Sequence, residues 1–226
     1  MIQPDSIRLL FEGAGKLEIF LTEEQLSLFM KYLIELKAWN TKMNLIGRKN
    51  DREIILKDFL DSLTPLKYLP PNSHVLDLGS GAGFPGIPLK IVRPELSLIL
   101  LEATLKKINF LKYLIRTLNL QDVDIYWIGE SNIPCLNGRF DFIVSRAFGS
   151  LTKLVSIGLP FIKSGGIILA MKGSQGRKDL ERDLPELKMR NLEVAFLDHF
   201  LLPILSHERF LIGLRKKKIV SRETFC

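Results

Sequence analysis

The chain has 226 residues, with 32 lysines and arginines against 25 aspartates and glutamates, so its formal net charge is +7. Hydrophobic residues make up 46% and charged residues 25%, which is typical of a folded globular protein and excludes a disordered chain. Its only cysteines, Cys135 and Cys226, exclude a disulfide framework and a cysteine-based zinc site. We expect no metal, no membrane span and no secretory signal, and therefore a cytoplasmic protein. The basic excess favours a polyanionic partner.

The N-terminal third of the sequence has the pattern of amphipathic helices. Thr22-Glu23-Glu24-Gln25 resembles a capping box, and the apolar residues that follow recur at helical spacing through Trp39. A second helical pattern runs from Arg52 to Lys67. The segment Leu69-Pro70-Pro71-Asn72-Ser73 then excludes a continuing helix, because a proline inside a helix removes a hydrogen bond. We therefore predict a helical extension over residues 1–70 and a second domain over residues 71–226.

Strands and helices alternate after this linker. The strand-like runs are His74–Leu78, Leu96–Leu101, Val123–Trp127, Phe140–Val144, Gly166–Met171, Leu192–Leu197 and Arg209–Leu214. The helix-like runs between them are Ile87–Val92, Lys106–Leu118, Leu151–Ile162 and Arg177–Leu187. This alternation predicts an α/β fold with a doubly wound, mostly parallel seven-stranded sheet, finished by a hairpin-like pair of strands.

A glycine-rich turn follows the first predicted strand. Its sequence, Asp77-Leu78-Gly79-Ser80-Gly81-Ala82-Gly83-Phe84-Pro85-Gly86, has four glycines in eight positions. In doubly wound sheets, ligands bind at the carboxyl ends of the strands, where such a turn lies. Glycine allows positive φ and removes the Cβ from the approach of a ligand. The pattern therefore predicts a cofactor site and disfavours a turn with a purely structural role.

The chemistry of the turn separates two cofactor classes. Gly81-x-Gly83-x-x-Gly86 formally fits a dinucleotide fingerprint, but the strand ends too early for that register. Pro85 and Pro88 also remove amides that a pyrophosphate would need. A methionine-type ligand needs no such cradle, and Asp77 is placed to meet its ammonium group. Glu102, at the end of the second predicted strand, is suited to accept hydrogen bonds from ribose hydroxyls.

The run Gly83-Phe84-Pro85-Gly86-Ile87-Pro88 resembles the cofactor loop of the bacterial small-subunit ribosomal RNA methyltransferase G family, also called glucose-inhibited division protein B. Further stretches are similar to the same family across nearly the whole chain. They are Trp39-Asn40, Asn44-Leu45, Phe59-Leu60-Asp61-Ser62, Lys106-Lys107, Ser145-Arg146-Ala147 and Met171-Lys172-Gly173. The resemblance implies a Rossmann-like class I methyltransferase fold with an N-terminal helical extension.

The resemblance also implies a reaction and a set of site residues. Members of the family transfer a methyl group from S-adenosylmethionine to N7 of one guanine in small-subunit ribosomal RNA. By position, the cofactor-binding residues would be Asp77, Gly79, Gly81, Gly83, Phe84, Glu102, Glu130, Ser131 and Arg146. Arg146 would also act in catalysis, at the rim of the cofactor near the target base. The chain departs from the family at Asp58, where a histidine is usual, and at Gly129, where an arginine-containing segment is usual.

Apart from the resemblance, the side chains present in the sequence are compatible with methylation of guanine N7. Guanine N7 carries a lone pair and no proton, so the reaction needs no general base. The three histidines, His74, His199 and His207, lack metal-ligand spacing, and we interpret them as structural residues. Asn44 and Phe148 lie in loop-like segments, where either is able to contact or stack on an exposed base.

Basic clusters indicate where RNA would bind. They are Arg48, Lys49, Arg52 and Lys57; Lys106, Lys107, Lys112 and Arg116; Lys172, Arg177, Lys178 and Arg182; and Arg215–Lys218. We predict that they concentrate at the carboxyl ends of the strands and that the partner is small-subunit ribosomal RNA or a 30S-type subunit. No feature requires more than a monomer. Two alternatives stay open: an RNA-binding protein that keeps the cofactor pocket without turnover, and a methyltransferase acting on a small molecule or protein.

Overall fold

A seven-stranded sheet organises the chain in the computed structural model, which describes residues 4–47, 50–129, 133–146 and 148–217. Its strands are β1 His74–Leu78, β2 Ser97–Glu102, β3 Val123–Trp127, β4 Phe140–Arg146, β5 Ile162–Lys172, β6 Leu192–Leu202 and β7 His207–Lys216. Their spatial order is β3-β2-β1-β4-β5-β7-β6. Strands β1 to β5 pair in parallel, whereas β7 is antiparallel to both β5 and β6. The predicted mostly parallel sheet with a terminal hairpin is confirmed.

The helices lie before the sheet and in its crossovers. They are α1 Pro4–Gly15, α2 Glu23–Met43, α3 Asp51–Ile54, α4 Leu60–Leu63, α5 Gly86–Val92, α6 Leu105–Thr117, α7 Leu151–Gly158 and α8 Gly176–Met189. The predicted capping box is present at α2, where Thr22 accepts from the Gln25 amide and the Gln25 side chain accepts from the Thr22 amide. Among the described helices, none has the length and apolar character that crossing a membrane requires.

The second predicted helix is a continuous helical run with changing geometry. After α3, a π-helical turn spans Ile55–Phe59, α4 follows, and a 3₁₀ turn spans Thr64–Tyr68. Single π-helical turns often occur at functional sites, because they redirect side chains that a regular α-helix would place elsewhere. Here the altered segment supplies side chains to the candidate site described below.

One helix boundary in the prediction is wrong. The helix predicted over Leu151–Ile162 ends at Gly158, and Ile162 already begins β5, earlier than the predicted start at Gly166. Pro160, which cannot donate a helical hydrogen bond, lies two residues after this end, next to the C-cap residue Leu159. The Phe161 carbonyl then accepts the amides of Arg139 and Phe140, which ties the chain to the beginning of β4.

Alternating strand residues divide the apolar core between the two faces of the sheet. Val75 and Leu100 belong to the core that is covered by the N-terminal helices together with α5 and α6. Leu76 and Leu101 belong to the core that is covered by α7 and α8. The N-terminal helices thus share a core with one face of the sheet and pack against the elements that follow β1 and β2. The division into domains at residue 70 stays a prediction.

Candidate functional site at the carboxyl edge of the sheet

The turn between β1 and α5 uses its glycines in two different ways. Gly79, Gly81 and Gly83 all have positive φ, at +79°, +60° and +99°. A Cβ on Gly83 would lie 2.8 Å from both the Tyr32 hydroxyl and Ile87, so this glycine is required for packing. At Gly79 and Gly81, by contrast, a Cβ would meet nothing closer than 3.5 Å. The backbone at these two positions is therefore accessible to a ligand.

Glu102 attaches the turn to the end of β2. Its carboxylate is 5% exposed and accepts hydrogen bonds from the Gly81 amide at 2.7 Å and from the Thr104 amide at 2.9 Å. Each carboxylate oxygen has further lone-pair capacity, so both can still accept from a hydroxyl donor. The structure therefore brings Glu102 to the open glycines, as the sequence predicts.

Asp77 lies beneath the turn and is fully buried. One carboxylate oxygen accepts the Gly86 amide at 2.8 Å, which fixes the beginning of α5, and the other has no hydrogen-bond partner among the described residues. Burial raises the pKa of this carboxyl to about 7, because the charged form loses its hydration. In this conformation Asp77 holds the turn from below, and its unpartnered oxygen lies buried beneath it.

Arg146 ends β4 and lies over the turn. Its guanidinium carbon is 4.7 Å from the centre of the buried Phe84 ring. The same group makes an ion pair with Asp58 at 2.9 Å and donates to the Lys57 carbonyl at 2.9 Å. Asp58 is thus the buried acid that fixes Arg146. The π-helical turn thus anchors Arg146, whose side chain remains 17% exposed to solvent.

A cavity of about 350 Å³ adjoins the turn at the same edge of the sheet. It is lined by Lys57, Asp61, Arg146, Phe148, Met171, Lys172, Gly173 and Arg209. Four of these side chains are cationic, and each makes an ion pair with an acidic residue: Lys57 with Glu53, Arg146 with Asp58, Lys172 with Asp179 and Arg209 with Asp61. The Phe148 ring lies 3.5 Å from the position of a Cβ on Gly79, and it therefore borders both the cavity and the cofactor turn.

Two cavity residues have roles that the sequence did not indicate. Asp61 accepts from the Arg209 guanidinium at 2.8 Å and lies 3.8 Å from that of Arg146, so it joins β7 to β4. Arg209 reaches this edge because β7 is antiparallel, which places its first residues beside the end of β5. In the sequence, only the hairpin-like pair of strands at the end of the chain pointed to this arrangement. That pattern does not predict the register of β7 against β5, which places Arg209 at the cavity.

Lys172 is held inside the protein, contrary to its expected role among the phosphate-binding cations. It is 8% exposed, donates to the carbonyls of Phe148 and Gly149, and makes an ion pair with Asp179 at 3.1 Å. These contacts explain its burial, because a buried ammonium group requires compensating acceptors. Lys172 thus fixes the loop that carries Phe148.

Several predicted residues lie outside the described residues or away from the cavity. Glu130, Ser131 and the basic pair Arg48 and Lys49 belong to the first group. His74 and His199 pair instead with Asp141 and Glu208, respectively, at 3.3 and 3.5 Å. Among the residues that the structure describes, no three histidine, cysteine or acidic side chains form a metal-binding group.

Sequence comparisons with known proteins agree on one family, and a comparison with solved structures shows the same fold. The family model described as rRNA small subunit methyltransferase G (GidB) matches residues 25–207. The protein of that name from Geotalea uraniireducens is 40% identical over 210 residues, covering 92% of this chain and 96% of the relative. The one from Syntrophus aciditrophicus is 40% identical over 217 residues, covering 92% and 89%. A solved SAM-dependent methyltransferase from Aquifex aeolicus has a TM-score of 0.57 at 16% identity, covering 80% of this chain and 97% of that one.

Proposed function

Because the chain belongs to the rRNA small subunit methyltransferase G family, we propose that it transfers a methyl group from S-adenosylmethionine to N7 of a guanine in 16S ribosomal RNA. The observation that carries this proposal is the juxtaposition of the open glycine turn and the cationic cavity, which share the Phe148 ring as a border. One part of this edge suits the cofactor, and the other suits a nucleotide.

The residues of the turn fit S-adenosylmethionine. At Gly79 and Gly81 the backbone leaves the space that a side chain would fill, and Glu102 offers oxygens to ribose hydroxyls. The unpartnered oxygen of Asp77 suits the ammonium group of the methionine part. Glu130 and Ser131 are our candidates for the adenine. When bound, this cofactor supplies an electrophilic methyl group on a sulfonium.

The cavity residues would position the guanine. N7 already carries a lone pair, so the protein does not need to remove a proton, and alignment of the reacting atoms is its main contribution. Phe148 offers a ring for stacking, and the exposed part of Arg146 offers donors to the base or to a neighbouring phosphate. We assign Arg146 the catalytic role of coupling the cofactor turn to the substrate.

RNA binding would depend on the cations of this edge. Lys57 and Arg209 line the cavity with Arg146, and the exposed residues Lys106 and Arg177 lie at the beginnings of the helices that follow β2 and β5. We propose a small ribosomal subunit or its precursor as the substrate, a monomer as the active form and the cytoplasm as its location. Because phosphate contacts release counterions, salt should weaken RNA binding steeply while leaving cofactor binding nearly unchanged.

The decisive experiment measures methyl transfer from labelled S-adenosylmethionine to small ribosomal subunits that lack N7 methylation. We expect label in 16S RNA, and strand cleavage at 7-methylguanine maps it to one site. Subunits that already carry the modification serve as the control and should take up no label. Cofactor and RNA binding without transfer would support a non-enzymatic RNA-binding protein, and transfer to small molecules alone would exclude ribosomal RNA as the substrate.

A further inference from the structure

A tyrosine of the N-terminal helices contacts the glycine-rich turn. Tyr32 lies on α2 and is fully buried. Its hydroxyl donates a hydrogen bond to the carbonyl of Ala82, in the middle of the glycine-rich turn. Because this residue is far from the turn in sequence, the contact is one that only the folded extension supplies.

The other hydrogen bonds that hold the turn, among the residues the structure describes, come from the sheet and from the turn itself. The Leu101 carbonyl and the Glu102 carboxylate of β2 accept the amides of Gly79 and Gly81, and Asp77 of β1 accepts that of Gly86. All of these bonds use amides of the turn. Tyr32, by contrast, satisfies a carbonyl, and a buried carbonyl that loses its donor is costly. The hydroxyl therefore fixes the orientation of the peptide between Ala82 and Gly83.

The ring of Tyr32 makes a second contact with the turn. It stacks on Phe84, with ring centres 5.4 Å apart and planes 22° apart, and it packs against Phe59 of the π-helical turn at 5.1 Å. The Gly83 backbone lies so close that an added Cβ would be 2.8 Å from the Tyr32 hydroxyl. Gly83 and Phe84, two consecutive residues of the turn, thus both pack against the Tyr32 side chain of α2.

We propose that Tyr32 is a positioning residue, which holds the glycine-rich turn in the conformation that binds S-adenosylmethionine. It acts through the Ala82 carbonyl and the Phe84 ring and does not touch the cofactor. Burial raises the pKa of the Tyr32 hydroxyl well above its ordinary value, so the group remains a neutral donor at physiological pH. The N-terminal extension is then part of the cofactor site as well as part of the core.

The test replaces Tyr32 by phenylalanine, which keeps the ring and removes the donor. Calorimetry should show the Kd for S-adenosylmethionine rising about tenfold, the usual consequence of an unsatisfied buried acceptor. In the methyl-transfer assay, the KM for the cofactor should rise by a similar factor, while kcat at saturating cofactor changes less than twofold. Affinity for RNA in the absence of cofactor should equal that of the wild type.

A matched variant separates positioning from general loss of stability. Phe29 lies on the same helix, is fully buried and packs against the same Phe59 ring at 5.1 Å, and Phe59 is its only aromatic partner among the residues that the structure describes. Phe29→Leu should lower the melting temperature at least as much as Tyr32→Phe and leave the cofactor Kd unchanged. An unaltered Kd in Tyr32→Phe, or equal weakening in both variants, would overturn the inference. The wild-type Kd is measured first, because absence of cofactor binding there would contradict the proposed function instead.

Discussion

The glycine-rich turn and the cationic cavity lie side by side, yet they are built in opposite ways. The turn is one continuous segment whose shape follows from the φ angles that its glycines permit. The cavity is assembled from distant segments: the π-helical turn with α4, the ends of β4 and β5, and the beginning of β7. A single substitution at a glycine should therefore alter the shape of the turn. The geometry of the cavity depends instead on ion pairs between different helices and strands. Mutations should distinguish these two kinds of construction.

The largest effect is expected from Gly79→Val. A branched side chain at φ +79° would strain the backbone and fill the space left for the ligand, so S-adenosylmethionine binding should fall below detection by calorimetry. Gly165→Val is the matched control, because Gly165 has φ +80° and open space around it, within β5. Both variants should lose stability, but only the first should lose the cofactor. Retention of cofactor affinity by Gly79→Val would remove this position from the site.

The second prediction concerns pH and the acid beneath the turn. The folded-state pKa of Asp77 is about 7 and its ordinary value is 3.8, so the folded protein binds this proton more tightly than the unfolded chain does. Protonation of Asp77 therefore stabilises the folded protein, by at most about 4 kcal/mol. This stabilisation is fully present below about pH 4 and is lost as the pH rises to about 7.

Asp77→Asn should remove this dependence, because the amide keeps an acceptor for Gly86 without a titrating proton. The measurement is the free energy of denaturant unfolding of both proteins between about pH 4.5 and 8, a range that includes the folded pKa of about 7. The variant should gain stability relative to the wild type as the pH rises. A constant difference across the range would show that Asp77 titrates normally.

The third prediction, with the smallest expected effect, concerns the ion pair between Asp58 and Arg146 beside the cavity. Asp58→Asn would remove the nearer of two buried acids beside the Arg146 guanidinium and leave Asp61 at 3.8 Å, and we expect the free energy of unfolding to fall by about 3 kcal/mol. Glu12→Gln, which breaks the exposed ion pair with Arg8, should cost less than about 0.5 kcal/mol. Equal losses in urea titrations would mean that the buried pair does not organise this edge.

The sequence predicted the turn well because local rules decide its geometry. Strand alternation predicted the end of β1, and glycine spacing together with the placement of Glu102 predicted a cofactor site at this edge, which stays a prediction. Arg146 was predicted only through the family resemblance, since a lone arginine after a strand has many structural uses. Asp61, Arg209 and Tyr32 were not predicted as site residues, because their roles depend on the register of β7 and on the packing of α2 against the sheet. Such long-range geometry leaves no local pattern.

The antiparallel direction of β7 has a consequence for synthesis on the ribosome. The turn at Gly79 emerges early and can fold with the strands beside it, but Arg209 emerges only after every other element that lines the cavity. A nascent or prematurely terminated chain that ends before β7 would thus carry the cofactor turn without Arg209 and its bond to Asp61. The cavity half of this edge is therefore completed after the turn.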